Sequence, residues 1–247
     1  DRNLLVSKEP SLGSPTEFDF RESDFKSENA LEDNNYSNQI DQDIPDSEED
    51  ENANAFYNSG LAKFNLEDYE GAIADYTKVL EINPTEESCY YNIGLAKFNL
   101  EDFKGAITAY TKAIDINPAY EKAYIRRGSA KVQLEDYEGA ISDYNKVIKI
   151  NPSNAEVYNY RGGMKLNLKD YEGAIPEYTK AIEINPSYEE AYNNRGLVKV
   201  QLKDYSGAIA DYTKAIEINP VNERAYFRMG LVKVDLDDHE GAISDYT

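Results

Sequence analysis

Between Glu87 and Leu100, apolar or small residues fall at Tyr90, Ile93, Gly94, Phe98 and Leu100, the spacing of one face of a helix. Asp102 then offers a side-chain oxygen suited to opening a second helix, and Ala106, Ile107, Tyr110, Ala113 and Ile114 carry the apolar stripe onward. Asn117-Pro118 closes the segment, because the residue before a proline is biased away from helix and proline has no amide proton with which to continue one. The pattern predicts two antiparallel helices joined by a short turn.

The same pattern returns along most of the chain. Pro84, Pro118, Pro152, Pro186 and Pro220 stand 34 residues apart, each ending a near-copy of the phrase DYTKAIEINP at 211–220. Aligned on these prolines, the units are 53–86, 87–120, 121–154, 155–188 and 189–222, with a partial sixth at 223–247. With Ala53 counted as position 1, position 8 is always Gly, position 20 always Ala and position 24 always Tyr, while position 4 is always aromatic. Gly and Ala lack bulk, so the paired helices can approach closely. A lone hairpin of this length cannot bury enough apolar surface to offset the conformational entropy of ordering it, so each must stack on the next. The expected fold is all-α: an α-solenoid of stacked hairpins with a concave face.

A fixed period of this length with Gly, Tyr, Ala and Pro at these places resembles the tetratricopeptide repeat (TPR) family. The resemblance covers about four-fifths of the chain and implies a right-handed superhelix. There are departures: position 4 is never Trp, position 11 is Lys in every copy (Lys63, Lys97, Lys131, Lys165, Lys199, Lys233), and position 7 is Arg in three. These point to a subfamily with its own surface.

Charge divides the chain. The formal net charge is −21; residues 1–52 hold 16 Asp and Glu against 4 Lys and Arg, or −12, which leaves −9 for the repeats. Residues 1–52, thin in apolar residues and without periodicity, are expected to form a disordered acidic arm ahead of the repeat domain at 53–247. Such acidity argues against a nucleic acid partner, and no apolar run is long enough for a membrane span. A cytoplasmic location is favoured, although a signal segment could have preceded Asp1.

Little in the chain points to catalysis. One His and one Cys cannot build a zinc site. Cys89 takes a place that Ala or Val fills in other copies and reads as a small buried side chain; His239 takes a place otherwise held by Tyr or Phe and reads as an aromatic packing substitute. The acidic residues are accounted for by helix starts, by i,i+3 pairs between positions 23 and 26, and by solubility. No catalytic, cofactor-binding or metal-ligating residue is assigned, and no cofactor is expected.

Comparing the copies shows where a partner would be read. The resemblance implies a concave groove lined by the first helices, and there positions 2, 5 and 6 vary while packing positions stay fixed. Position 6 runs Asn58, Asn92, Arg126, Tyr160, Asn194 and Arg228, and position 2 brings Lys122 and Arg224 onto the faces of Arg126 and Arg228. These eight are the candidate groove residues. Asn92 with Lys122 and Arg126, and Asn194 with Arg224 and Arg228, are similar to part of the family's carboxylate clamp, which grips C-terminal carboxylates of chaperones. The clamp's remaining Lys and Asn would fall at Tyr57 and Leu61, or at Asn159 and Gly163. The expected function is a non-enzymatic interaction scaffold taking a protein or peptide ligand, with an acidic or C-terminal carboxylate segment as one form. Two alternatives stay open: a co-chaperone with a partial clamp, and a regulatory or targeting region of a larger enzyme. Self-association through the uncapped end at Thr247 is a further reading.

Overall fold

The computed structural model describes residues 48–246, with side-chain environments from Glu51 to Asp245; most of the expected acidic arm lies outside the described residues. Those residues form twelve helices and no strand. In chain order they are α1 (Glu48–Asn65), α2 (Tyr69–Ile82), α3 (Glu87–Asn99), α4 (Phe103–Ile116), α5 (Glu121–Val132), α6 (Tyr137–Ile150), α7 (Ala155–Asn167), α8 (Tyr171–Ile184), α9 (Glu189–Gln201), α10 (Tyr205–Ile218), α11 (Glu223–Asp235) and α12 (His239–Tyr246). Each odd-numbered helix pairs with the next as a hairpin.

The hairpins fall into two compact units, one ending at Pro152 and the other beginning at Ser153. In the first unit α2 packs on α3 and α4 on α5; in the second α8 packs on α9 and α10 on α11. Within each unit, successive first helices also touch (α3 with α5, α7 with α9, α9 with α11), whereas no two second helices come as close. First helices therefore make the tighter wall of each unit.

Local chemistry sets every hairpin. Asp at position 16 caps the second helix: Asp68, Asp102, Asp136, Asp170, Asp204 and Asp238 accept the amide of the Gly three residues on at 2.9–3.1 Å. That Gly is needed for room, since a Cβ on Gly105 would lie 2.0 Å from Asp102 Oδ2. The turn ahead of the cap closes when the amide of Asp102 donates to the Lys97 carbonyl at 2.9 Å, as Asp68 and Asp136 do to Lys63 and Lys131. This geometry holds a non-glycine residue in the left-handed region in all six turns, with φ of 59–62° at Glu67, Glu101, Glu135, Lys169, Lys203 and Asp237. Nothing in the sequence pattern announced it. At the far end Asn83, Asn117, Asn185 and Asn219 fold their side-chain oxygens onto the amide two residues ahead.

The two helices of each hairpin lock through the invariant Gly and Tyr. Tyr76, Tyr110, Tyr144, Tyr178 and Tyr212 are fully or almost fully buried, each ring packed against the Gly at position 8. A Cβ on Gly94 would reach within 2.4 Å of the Tyr110 ring, and one on Gly128 within 2.7 Å of Tyr144. Cys89 is buried as expected, and burial pushes its thiol pKa up. His239 differs: it is exposed at the start of α12, whereas Phe103 at the same position stacks edge-on against Phe98 at 5.3 Å. Pro176 is exposed within α8, which runs unbroken from Tyr171 to Ile184.

Candidate partner-binding surface

Two sets of polar side chains organise the first helices, and one closes on buried carboxylates within each hairpin. In the third, fourth and fifth hairpins the Arg at position 7 forks onto the carboxylate at position 23. Arg127 grips Asp143 through Nε and Nη2 at 3.0 and 2.6 Å, Arg195 grips Asp211 at 2.9 and 2.7 Å, and Arg161 holds Glu177 Oε2 at 3.0 and 2.5 Å. The invariant Lys at position 11 completes each cluster, with Lys131, Lys165 and Lys199 at 2.7–2.8 Å from the same carboxylates. All three carboxylates are buried. The third nitrogen of Arg127 donates to Thr111 Oγ1 of the preceding hairpin at 3.0 Å, and Arg195 donates to Thr179 likewise at 3.1 Å. The guanidinium also roofs the position-4 ring, Arg127 over Tyr124 at 5.4 Å.

The outer hairpins keep a reduced cluster. Lys233 meets Asp245 at 2.7 Å, and Asp75 accepts from Ser59, Lys63 and Lys78 at 2.6, 2.5 and 3.1 Å. Burial alone would raise the Asp75 pKa, but these donors outweigh it and hold the carboxyl at about 2. Of the expected pairs between positions 23 and 26, only Asp75–Lys78 forms; Lys180 and Lys214 turn instead to Glu183 and Glu217, because Arg and Lys of the first helix have taken the carboxylate. The Lys and Arg departures from the family pattern thus serve internal cohesion. Their signal was legible: position 7 is Arg only where position 23 is acidic, and the second hairpin has Ile93 with Ala109.

The other set lies on the wall of first helices, where position-6 side chains reach back to position 5 of the preceding hairpin. Asn92 Nδ2 donates to the Tyr57 hydroxyl at 3.3 Å, Asn194 Nδ2 to Asn159 Oδ1 at 3.0 Å, and Arg228 Nη1 to the Asn193 carbonyl at 3.4 Å. Asn159 in turn donates to the Tyr188 hydroxyl at 3.3 Å. Burial pushes the Tyr57 phenol up to about 12. Arg228 sits near the phenols of Tyr178 and Tyr212, and Arg126 near that of Tyr144.

The eight candidate residues divide by accessibility. Asn92, Arg126, Tyr160, Asn194 and Arg228 are buried, Lys122 and Arg224 are half-buried, and Asn58 is exposed. Asn58, Asn92, Lys122 and Arg126 belong to the first unit, and Tyr160, Asn194, Arg224 and Arg228 to the second. Sequence spacing did not register that position 6 is largely spent on hairpin-to-hairpin bonds. Among the described residues no cluster of His, Cys, Asp or Glu could hold a metal ion, and no helix is long and apolar enough to cross a membrane.

This architecture has known relatives. A tetratricopeptide repeat model matches residues 53–86, 88–120 and 189–222, and a TPR repeat model matches 128–163 and 165–203. Together these span more than half of the chain, which belongs to the tetratricopeptide repeat family and carries the family's general role as a protein–protein interaction scaffold. Among solved structures, MamA is 28% identical with a TM-score of 0.58, over 62% of this chain and 90% of that one. PilF of Pseudomonas aeruginosa is 18% identical with a TM-score of 0.67, over 81% and 90%. YrrB, described as a TPR protein with an unusual peptide-binding site, is 21% identical with a TM-score of 0.61, over 77% and 95%. At such identities PilF and YrrB bear on the fold alone. No curated protein matches the chain significantly.

Proposed function

We propose that the chain is a non-enzymatic scaffold that receives a peptide or partner segment along the wall of first helices within a unit, with 53–247 as the binding domain and 1–52 as its acidic arm. The observation that carries this reading is the position-5/position-6 ladder with half-buried Lys122 and Arg224 at position 2 beside it. Amides and cations there vary from copy to copy, while the Gly–Tyr lock and the Asp cap do not. A surface free to vary beside an invariant skeleton is where specificity can be written. Cationic side chains in a chain of net charge −21 favour an acidic segment.

A complete carboxylate clamp is not the form this takes. Tyr57 and Leu61, which occupy the places of the clamp's other Lys and Asn in the first unit, are buried, and Tyr57 is engaged by Asn92. The reading is instead a groove for a side-chain carboxylate or backbone amide. Its test is affinity capture from the native source, quantified by mass spectrometry, with wild type beside Lys122→Glu plus Arg224→Glu. Circular dichroism of the variant beside wild type separates a loss of fold from a loss of recognition. At least one partner of the wild type should fall by about tenfold, the loss of roughly one charge-assisted bond. Retention of every partner at wild-type yield would move recognition elsewhere.

A further inference from the structure

Five of the six hairpins set the Lys of position 11 on an acid at position 23, at 2.5–2.8 Å. The second hairpin keeps the lysine and lacks the acid. Lys97 has Ala109 where the carboxylate would stand and turns instead to exposed Asp102 at 3.1 Å. The first hairpin shows the complete arrangement, since Asp75 accepts both from Lys63 at position 11 and from Lys78 at position 26. Lys112 is the second hairpin's counterpart of Lys78; it is exposed and, among the described residues, makes no ion pair. Here both cations of the cluster are present without their anion.

Space accompanies the missing charge. Ala109, together with Ile93 in place of the position-7 Arg, borders a cleft of about 560 Å³ between α2, α3 and α4, all within the first unit. That size lies within the range of about 300–1,000 Å³ common to ligand pockets. Leu80, Tyr90, Ile93 and Ala109 give it an apolar lining, with Lys97 and Lys112 beside them. Thr77 lines it as well. Its counterpart Thr111 accepts from Arg127, whereas among the described residues Thr77 Oγ1 only donates, to the Ile73 carbonyl, which leaves its lone pairs for an incoming N–H. The one acid on the lining is exposed Glu81 of α2, so the cleft suits a single carboxylate on the α4 side rather than a run of them.

We infer that the second hairpin docks a segment of a partner protein that carries an apolar side chain next to an Asp or Glu. The partner's carboxylate stands over Ala109 and completes the cluster that Asp75 completes in the first hairpin. It takes Lys112 and draws Lys97 from Asp102, the apolar neighbour covers Ile93, and a backbone N–H of the segment donates to Thr77. Giving up the exposed Lys97–Asp102 pair costs little, while a charge-assisted bond over an apolar floor is the stronger one. No residue of positions 2, 5 or 6 lines this cleft, so it is a surface separate from the wall of first helices.

The test uses the full-length protein with carbon-13 in its Ala and Ile methyls, so that Ala109 and Ile93 report from the cleft by NMR. The probes are the capped dipeptides N-acetyl-Phe-Asp-amide and N-acetyl-Phe-Asn-amide. The Asp peptide should shift both methyls saturably, and the Asn peptide should bind at least about tenfold more weakly, the loss of one charge-assisted bond. Lys112→Gln, a change at an exposed side chain, should weaken the Asp peptide by about fivefold. Ala109→Asp supplies the anion from within and should abolish the response at Ile93 while the other methyl signals keep their positions. Lys122→Glu with Arg224→Glu, which tests the wall, should leave the cleft response unaltered. No saturable shift, equal affinity for the two peptides, undiminished binding to Lys112→Gln or Ala109→Asp, or loss of the response in the wall variant would each overturn the inference.

Discussion

In the third hairpin Arg127 and Lys131 close on the buried carboxylate of Asp143 and stitch it to Thr111 of the preceding copy; in the second, the same backbone carries Ile93, Ala109 and an open cleft. Both share the Asp cap, the left-handed turn and the Gly–Tyr lock. The fold therefore does not require the ion cluster. A buried ion pair is costly to break but often replaceable by apolar side chains of similar volume, and this molecule displays both solutions side by side. The copy that gave up its charges gained a surface.

The sharpest way to break the comparison is Asp143→Ala alone, which strands two cations around a buried vacancy. Stability should fall by about 3–5 kcal/mol, read as a shift in the urea midpoint. Arg127→Ile together with Asp143→Ala copies the second hairpin and should recover most of that loss; equal destabilisation by the single and double variants would refute the equivalence of the two hairpins.

A smaller effect is expected at the lock. Gly94→Ala and Gly128→Ala should each cost about 1–3 kcal/mol through overpacking, and Gly94 the more, since its added Cβ would lie 2.4 Å from Tyr110 against 2.7 Å for Gly128 and Tyr144. Denaturant titration of the pair would check the ranking.

Acid should act on the hairpins that hold carboxylates. Asp75 has its folded pKa at about 2, below the usual Asp value of about 3.9. Its contribution to stability is therefore complete above pH 4 and lost as pH falls from about 4 to about 2. Urea midpoints across that window should decline less steeply in Asp75→Asn than in wild type. The second hairpin has no such group at position 23, so Ala109→Asn should leave the slope unaltered.

The smallest effect serves as a control. Glu101→Gly and Glu135→Gly relieve a left-handed side-chain conformation worth roughly 1–2 kcal/mol, offset by glycine's added unfolded-state freedom of roughly 0.5–1 kcal/mol. Both should stabilise by a few tenths of a kcal/mol to about 1, and equally, because the turn is the same in both hairpins. Unequal gains by calorimetry would mean that the cluster reaches into the turn.

Much of this was legible along the chain. Gly94 and Tyr110 recur because a helix pair this close admits no side chain at position 8, and Asp102 recurs because a helix needs an acceptor at its start; local and pairwise demands repeat with the period and print themselves on the sequence. Spacing puts Asn92, Asn194 and Arg228 on first helices but cannot reveal that they reach across 35 residues to the preceding hairpin. Lys131 and Arg127 were read as surface departures for a similar reason: their partner Asp143 lies on another helix, and a lysine letter is the same whether its ammonium faces water or a buried carboxylate.

The chain by itself determined the period, the two helices per copy, their caps and the residues that lock them, since each follows from contacts within one hairpin or one helix end. Tertiary packing decided which charges are internal, which groove residues are already engaged by a neighbouring hairpin, and that two apolar letters at Ile93 and Ala109 open a cleft. Those outcomes depend on the distances between helices brought together by stacking; spacing within one copy does not encode them, and only the matching of Arg at position 7 with an acid at position 23 from copy to copy marks the clusters.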